Sequence, residues 1–457
     1  MSRGWKIASI IFAVLILALI ATRLTISAIY NARCEEEIRL FKAEGGSLNL
    51  ADMAPGPADK DGLILLDPNC FQYPPADATP GTGATDLAKK EHKDKLDSYR
   101  AITDWAKRNS RWLPVVTARG TPQDASSDSW LPLFEKHVEV NRDVLDKVRA
   151  TLALDNAAFD IDWSKGRDVS LSHLSKCRIV VRLLCMDALV SAEKGDSAGA
   201  FDDIALAFRM RRLFDRDPAI VSQLVGMNTD TTACSCLQSV LALVSPDRKS
   251  YDALIADIGE PDRRGCLPHA LLGDTAVGLE YFEAVARDTR VIQQIQDPLR
   301  GTPAPLTEWD RLRWLGIRLV WLSSADRRNY LASMREIRAQ SRLPLPEALA
   351  APQVAPPTPG PLATRLVSNW LVPSLGHAVQ QEGTAAARVA AARTALACAL
   401  YRAENGSNPP SLDALVPAYL PTAPTDPRTG APLTYSPENG SFIDFSLDNP
   451  DHAARKQ

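Results

Sequence analysis

The sequence predicts a mainly α protein with an N-terminal transmembrane helix, a domain of helical hairpins, and a small C-terminal α+β module carrying a β-hairpin. Three observations point there. An unbroken apolar run opens the chain, apolar residues recur at helical spacing through its middle, and turn signals bracket short aromatic stretches near its end. At 457 residues the chain exceeds one ordinary core, so two or three domains are expected. Hydrophobic content of 45% and charged content of 23% are those of a globular protein. Lys+Arg 52 against Asp+Glu 55 leaves a net charge of -3, without the basic footprint of a nucleic-acid binder.

The first element is the anchor. Arg3 and Lys6 precede "IASIIFAVLILALIATRL", residues 7–24. Coiled as a helix, that run reaches about 27 Å at 1.5 Å per residue, the thickness of a bilayer's hydrocarbon. Residues 1–6 then read as a cytoplasmic N-terminus and 7–24 as a signal anchor. An uncleaved anchor is expected, because Ile26 and Ala28 make a poor small-residue cleavage site and no lipobox precedes Cys34. Arg3, Lys6 and the terminal amine outweigh Arg23 and Arg33 only slightly, which favours a single-pass protein with its bulk extracytoplasmic, in the periplasm. There, some of the eight cysteines (34, 70, 177, 185, 234, 236, 266, 398) are able to pair, for instance Cys34 with Cys70, with the connectivity open. No CxxC occurs, which argues against zinc, thioredoxin-like and haem sites. Cys234 and Cys236 read as small residues on a packed helix.

Residues 25–130 are expected to hold a charged helix ending near Gly45-Gly46, loop to about residue 85, and a helix over 86–110. A helical domain follows over 131–342. Its best hairpin pairs Ser170–Glu193 with Ser197–Asp215 across Gly195-Asp196. Leu174, Cys177, Val181, Leu184, Cys185 and Ala188 form one apolar stripe; Ala200, Ile204, Ala207 and Phe208 form the facing one. This turn resembles a single tetratricopeptide hairpin, without a second copy at the 34-residue period. Asp217-Pro218 reads as N-cap and first position of a third helix, and further helices are expected over 247–258, 267–296 and 306–342. With seven prolines, 343–361 reads as a semi-stiff linker or surface strap. A long helix to Asn405-Gly406 and the α+β module complete the chain over 362–457.

Candidate sites are sparse, and the chain reads as leaning away from an enzyme. Six histidines (92, 137, 173, 269, 377, 452) are scattered with no metal-ligand spacing. "FDIDW" places Asp160 and Asp162 at DxD spacing, where a divalent metal is one reading and a solvated pair the plainer one. A pocket joining them to His173 would favour a hydrolase or lyase. "SAEK", Ser191 to Lys194, matches SxxK, yet Lys194 at a helix C-terminus is already explained by the helix dipole. In 309–328, Trp309, Trp314 and Trp321 alternate with arginines, which suits a core helix first and a membrane-surface helix second.

The end of the chain is the most patterned. "AAARVAAARTALACALYRAENG" leads to "SNPPSLDALVPAYL", with Ser411 placed to cap a short helix that Pro417 ends. "TDPRTG" is a turn by mechanism: Pro427 presets φ, the Asp426 carboxylate accepts backbone N–H groups, and Gly430 takes positive φ. Leu433–Tyr435 and Phe442–Phe445 read as strands around Asn439-Gly440. This succession resembles the globular head of the major pseudopilins of type II secretion systems. That resemblance implies a calcium loop, for which Ser446, Asp448 and Asp451 stand in comparable places, and a role as a secretion-system accessory. The pilin's N-terminal processing Gly-Phe and following Glu are missing from "MSRGWKIASIIFAVL". With "LADMAP", "EKGDSAGAFDDIALAFR" and "IVSQLVG", the whole chain resembles a family of bacterial membrane-anchored proteins that brings no activity with it. The function expected is an extracytoplasmic scaffold or binding module with a protein partner and no nucleic acid.

Overall fold

The computed structural model describes residues 3–54, 63–71, 73, 85–109, 112–113, 130–154, 156–260, 265–288, 290–291, 321–354 and 364–437. Thirteen α-helices occur among them. Helix α1 runs unbroken over Arg3–Ala43, so the expected anchor and the charged helix after it are one element. Mean hydropathy reaches 2.4 in its most apolar window, none of which is buried. This is an N-terminal apolar helix long enough to cross a membrane. Gly45, at φ 92, ends it with the left-handed turn only glycine takes cheaply.

From Arg23 onward α1 changes character. Residues 23, 27, 30, 34, 37, 41 and 44 are half-buried or buried, a heptad stripe that follows a stretch, 9–22, exposed all round. The stripe packs on α10 (Ser323–Ser341). Arg23 Nη2 donates to the Trp321 carbonyl at 3.3 Å, Arg335 meets Glu37 at 3.3 Å, and Arg342 meets Glu44 at 3.1 Å. Each pair is separated by 298 residues, which makes the two helices parallel and in register. Arg338, 1% exposed, anchors the distal end by bonding Glu44 at 2.9 Å and Thr275 Oγ1 at 3.0 Å while its guanidinium lies over the Phe41 ring.

The larger core is built by α2 (Asp86–Asn109), α3 (Trp130–Val140), α4 (Arg142–Leu152), α5 (Ser172–Glu193), α6 (Ser197–Arg209), α7 (Ile220–Leu243) and α8 (Arg248–Ile258). Later helices are α9 (Cys266–Arg287), α11 (Leu345–Ala350), α12 (Ser368–Gly376) and α13 (Ala378–Asn405). α13 lies along α7 and α8, and its run of buried alanines lets backbones approach closely. A second core joins α1, α9, α10 and α12. The eight cysteines are free thiols; Cys34 lies in this second core and Cys70 packs against the first, so the Cys34–Cys70 disulfide is not formed.

The hairpin forms as its sequence predicts. Gly195 sits at φ 80, Asp196 N donates to Ser191 O at 2.9 Å, and the Asp196 carboxylate accepts from Gly199 N at 3.0 Å. The next start differs. α7 begins at Ile220 rather than Pro218, and its first amide donates to Asp274 Oδ2 of α9 at 2.5 Å. Asp217 is buried instead, so the cap comes from another helix. Residues 345–350 of the proline-rich stretch are helical, with Leu345 and Ala348 buried.

The strands depart most from expectation. The described residues contain one sheet, a parallel pair of β1 (Ile64–Leu66) and β2 (Ala157–Phe159) that aligns Ile64 with Ala157. At the tail, Leu433–Tyr435 forms no strand; a single antiparallel bridge joins Thr425 and Pro432. Three residues beside one bridge lack the partner ladder a hairpin needs. Phe442–Phe445 lies outside the described residues, so the C-terminal β-hairpin is not established. The turn itself is made as read: Arg428 N donates to Asp426 Oδ1 at 2.9 Å, Gly430 N donates to Asp426 O at 2.8 Å, and Gly430 takes φ 73.

Candidate functional site

The most developed polar site is a cleft of about 550 Å³ between α4, α5, α6 and α8. Its floor is a charge network on otherwise apolar faces. Asp187 lies on α5 one turn past Leu184, and Asp203 on α6 one turn past Ala200, so hairpin geometry brings two carboxyls together. Both side chains are 3% exposed. Arg149, from α4, reaches between them, donating to Asp187 Oδ2 at 2.6 Å and Asp203 Oδ1 at 2.8 Å. Arg142 adds a bond to Asp187 at 3.0 Å.

Electrostatics divide the labour. Burial, then the neighbouring Asp187 carboxylate, pushes the Asp203 carboxyl up to about 7 despite the pairing with Arg149. With the Asp187 carboxylate beside it, the buried Asp203 carboxyl keeps its proton up to near neutral pH although Arg149 bonds both acids. At the other wall, Asp257 pairs with Arg209 at 2.8 Å and Arg212 at 2.9 Å. The rim is exposed and of mixed sign: Arg142 and Lys194 supply cations, Asp196 and Asp202 anions. Such a lining can hold a ligand that carries both charges.

The residues picked out in the sequence fall elsewhere or into other roles. Ser191 and Lys194 do line this cleft, but the Lys194 ammonium bonds Glu135 at 3.1 Å. Asp160 and Asp162 are exposed, Asp162 bonding Ser164 and Lys165, which is the solvated reading. His173 is apart from the cleft, buried against the Phe159 ring at 4.7 Å, with neither ring nitrogen hydrogen-bonded. Burial, then Lys176, lowers it to about 4, so it is neutral. Cys234 and Cys236 are core residues of α7. Trp321 is 6% exposed; Trp309 and Trp314 lie outside the described residues, as do Ser446, Asp448 and Asp451. Among the described residues no cluster of His, Cys, Asp or Glu has the makings of a metal centre.

Reading the sequence missed Asp187, Asp203 and Arg149. The signal was present: an acid one helical turn from a buried residue, on each helix of one hairpin, where an apolar side chain would ordinarily stand. A second buried network was also missed. His137 is bonded to Ser98 Oγ at 2.7 Å and Tyr73 OH at 2.5 Å, and burial lowers it to about 4. With the ring 0% exposed, this chain serves to tie α2 and α3 to the Tyr73 segment.

No protein family, no curated protein and no solved structure matches this chain.

Proposed function

We propose that this chain is a membrane-anchored binding module of the bacterial envelope. Its body stands outside the cytoplasm, and the cleft beside the α5–α6 hairpin receives a mixed-charge segment of a protein partner. The observation that supports this is the cleft itself: exposed charges of both signs surround a floor already locked by the Arg149 clamp. A locked floor costs little ordering on binding, which suits recognition. The apolar α1 supplies the anchor.

The test places a photo-crosslinking residue at Asp202, on the rim, in intact cells. A discrete protein adduct is expected, and Arg142→Glu should abolish it. The same adducts from a crosslinker at exposed Asp413 would sink the proposal. A phosphatase fused to the C-terminus should be active only if the body is extracytoplasmic. The identity of the adduct also tests the accessory reading: a pseudopilin-like partner would support the role the tail's resemblance implies.

A second reading has one observation in its favour. The Asp187–Asp203 pair, with Asp203 pushed up to about 7, is the kind of split carboxyl pair used in general acid–base hydrolysis. Both acids are nonetheless bound to Arg149, which substrate would have to displace. Under this reading Asp203→Asn abolishes hydrolysis of envelope peptides or glycans by the purified chain and spares the adduct.

A further inference from the structure

Contacts between α1 and the body place one end of that body at the level where the apolar half of α1 ends. The exposed apolar stretch of α1 gives way at Arg23, whose guanidinium bonds the Trp321 carbonyl. Asp326, in the first turn of α10, accepts from the Trp321 indole at 2.9 Å, from Val367 N at 2.8 Å, and from Ser368 N and Oγ at 3.1 and 2.6 Å. The start of α12 is therefore held beside the start of α10, at the height of Arg23. Gly376, at the far end of α12, lies beside the Val354 carbonyl.

Two features of this end are unexplained by the body alone. Trp370, two residues after Ser368, is 46% exposed, and among the described residues outside α1 no other tryptophan or phenylalanine is exposed as a large apolar side chain. The charge is also one-sided. Arg327 and Arg328 lie in the second half-turn of α10 and Arg365 just before α12. Among the described residues the acids beside them are Asp326, buried and taken up by four donors, and Glu283, which pairs with Arg327 at 3.9 Å. Exposed indole beside arginines in excess of acids is the composition of a membrane–water interface, where the ring sits at headgroup depth and the cations meet phosphate.

We propose that this end of the body rests in the bilayer interface, with Trp370 inserted at headgroup depth beside α1 and Arg327, Arg328 and Arg365 drawn to lipid phosphates. The inference rests on reading α1 as a membrane span. It adds that the body is held by two points rather than one, which fixes its tilt and sets how far the α5–α6 cleft stands from the membrane.

The test uses the full chain reconstituted in phosphatidylcholine–phosphatidylglycerol vesicles, native and Trp370→Phe. The difference between their emission spectra isolates Trp370 from the other tryptophans. Lipids brominated near the headgroup end of the acyl chain should quench that difference by about half or more, and aqueous acrylamide should barely touch it. Quenching by acrylamide and not by brominated lipid overturns the proposal. Flotation separates the two readings: a chain that fails to float with the vesicles loses the span and this inference together, whereas one that floats with Trp370 open to acrylamide loses this inference alone. Trp370→Phe must melt with the native protein in detergent; if it does not, a nitroxide-lipid quenching profile of native Trp370 against a Trp370→Tyr variant decides between the same two outcomes.

Discussion

Three aspartates are pushed up to about 7: Asp203 and Asp217, both buried, and Asp274, half-buried against the start of α7. Desolvation is the main cause in all three, because a charge in a low-dielectric interior loses its hydration. An acid whose folded value lies above its ordinary 3.8 holds its proton more tightly when folded. Its stabilising contribution is complete below about pH 4 and is lost as pH rises through about 7, with a slope on the order of 1 kcal/mol per pH unit. Asp274→Asn keeps an oxygen for the Ile220 amide and removes the titration. The melting temperature of native protein in detergent should therefore fall more steeply than that of Asp274→Asn between about pH 5 and about pH 8. Parallel melting curves would refute the assignment. Asp326 makes a different case: it accepts four hydrogen bonds, one from the Trp321 indole and three that join α10 to the start of α12. Asp326→Ala orphans those donors and should cost roughly 3 kcal/mol, read as a lowered urea midpoint.

At the scale of elements, α9 is shaped by its glycines. A Cβ on Gly273 would stand 1.8 Å from the Pro218 carbonyl oxygen, and one on Gly278 would stand 2.0 Å from the Tyr330 hydroxyl. Both neighbours are buried, and Tyr330 OH is held by its bond to Asp274 O at 2.8 Å. Gly273→Ala should destabilise by about 2 kcal/mol through overpacking. Gly265→Ala, with open space at the helix start, should change the same thermal melt little. The α1–α10 pair is held by charge as well as packing. Arg338→Ala leaves Glu44 with Arg342 and uncovers Phe41. Losing about 3 kcal/mol there multiplies the open population roughly a hundredfold, and Cys34, buried in the seam, should react with a maleimide faster by that factor. An unchanged rate would mean that the seam is held without Arg338.

For the whole molecule, α1 is two structures in one helix. None of its most apolar window is buried by the rest of the protein, and its second half completes the core of α9, α10 and α12. Removing residues 1–20 should release a folded body that keeps every contact from Arg23 onward, whereas removing 1–45 exposes the seam and should yield aggregate in size-exclusion chromatography. The N-terminal apolar helix, the hairpin and the tail turn were legible because each is local: an apolar run, a 3.6-residue rhythm, and Gly195 or Gly430 at a required positive φ. The third helix start read as Asp217 because a cap is normally adjacent, and that failed where Asp274, 54 residues on, reaches the same amide. The β1–β2 pair escaped because its two three-residue strands lie 93 residues apart in register and each is too short to show alternation.

The sequence by itself determined a mainly helical chain with an N-terminal apolar helix long enough to cross a membrane, a well-formed hairpin and a specified terminal turn, since hydrophobic length, periodicity and turn chemistry act over a few residues at a time. Only the tertiary structure decided that α1 and α10 run parallel, that Asp187 and Asp203 share Arg149, and that Asp326 ties the start of α12, which bears the exposed Trp370, to the start of α10. Those facts depend on which charges are desolvated together, and that is settled when distant helices pack.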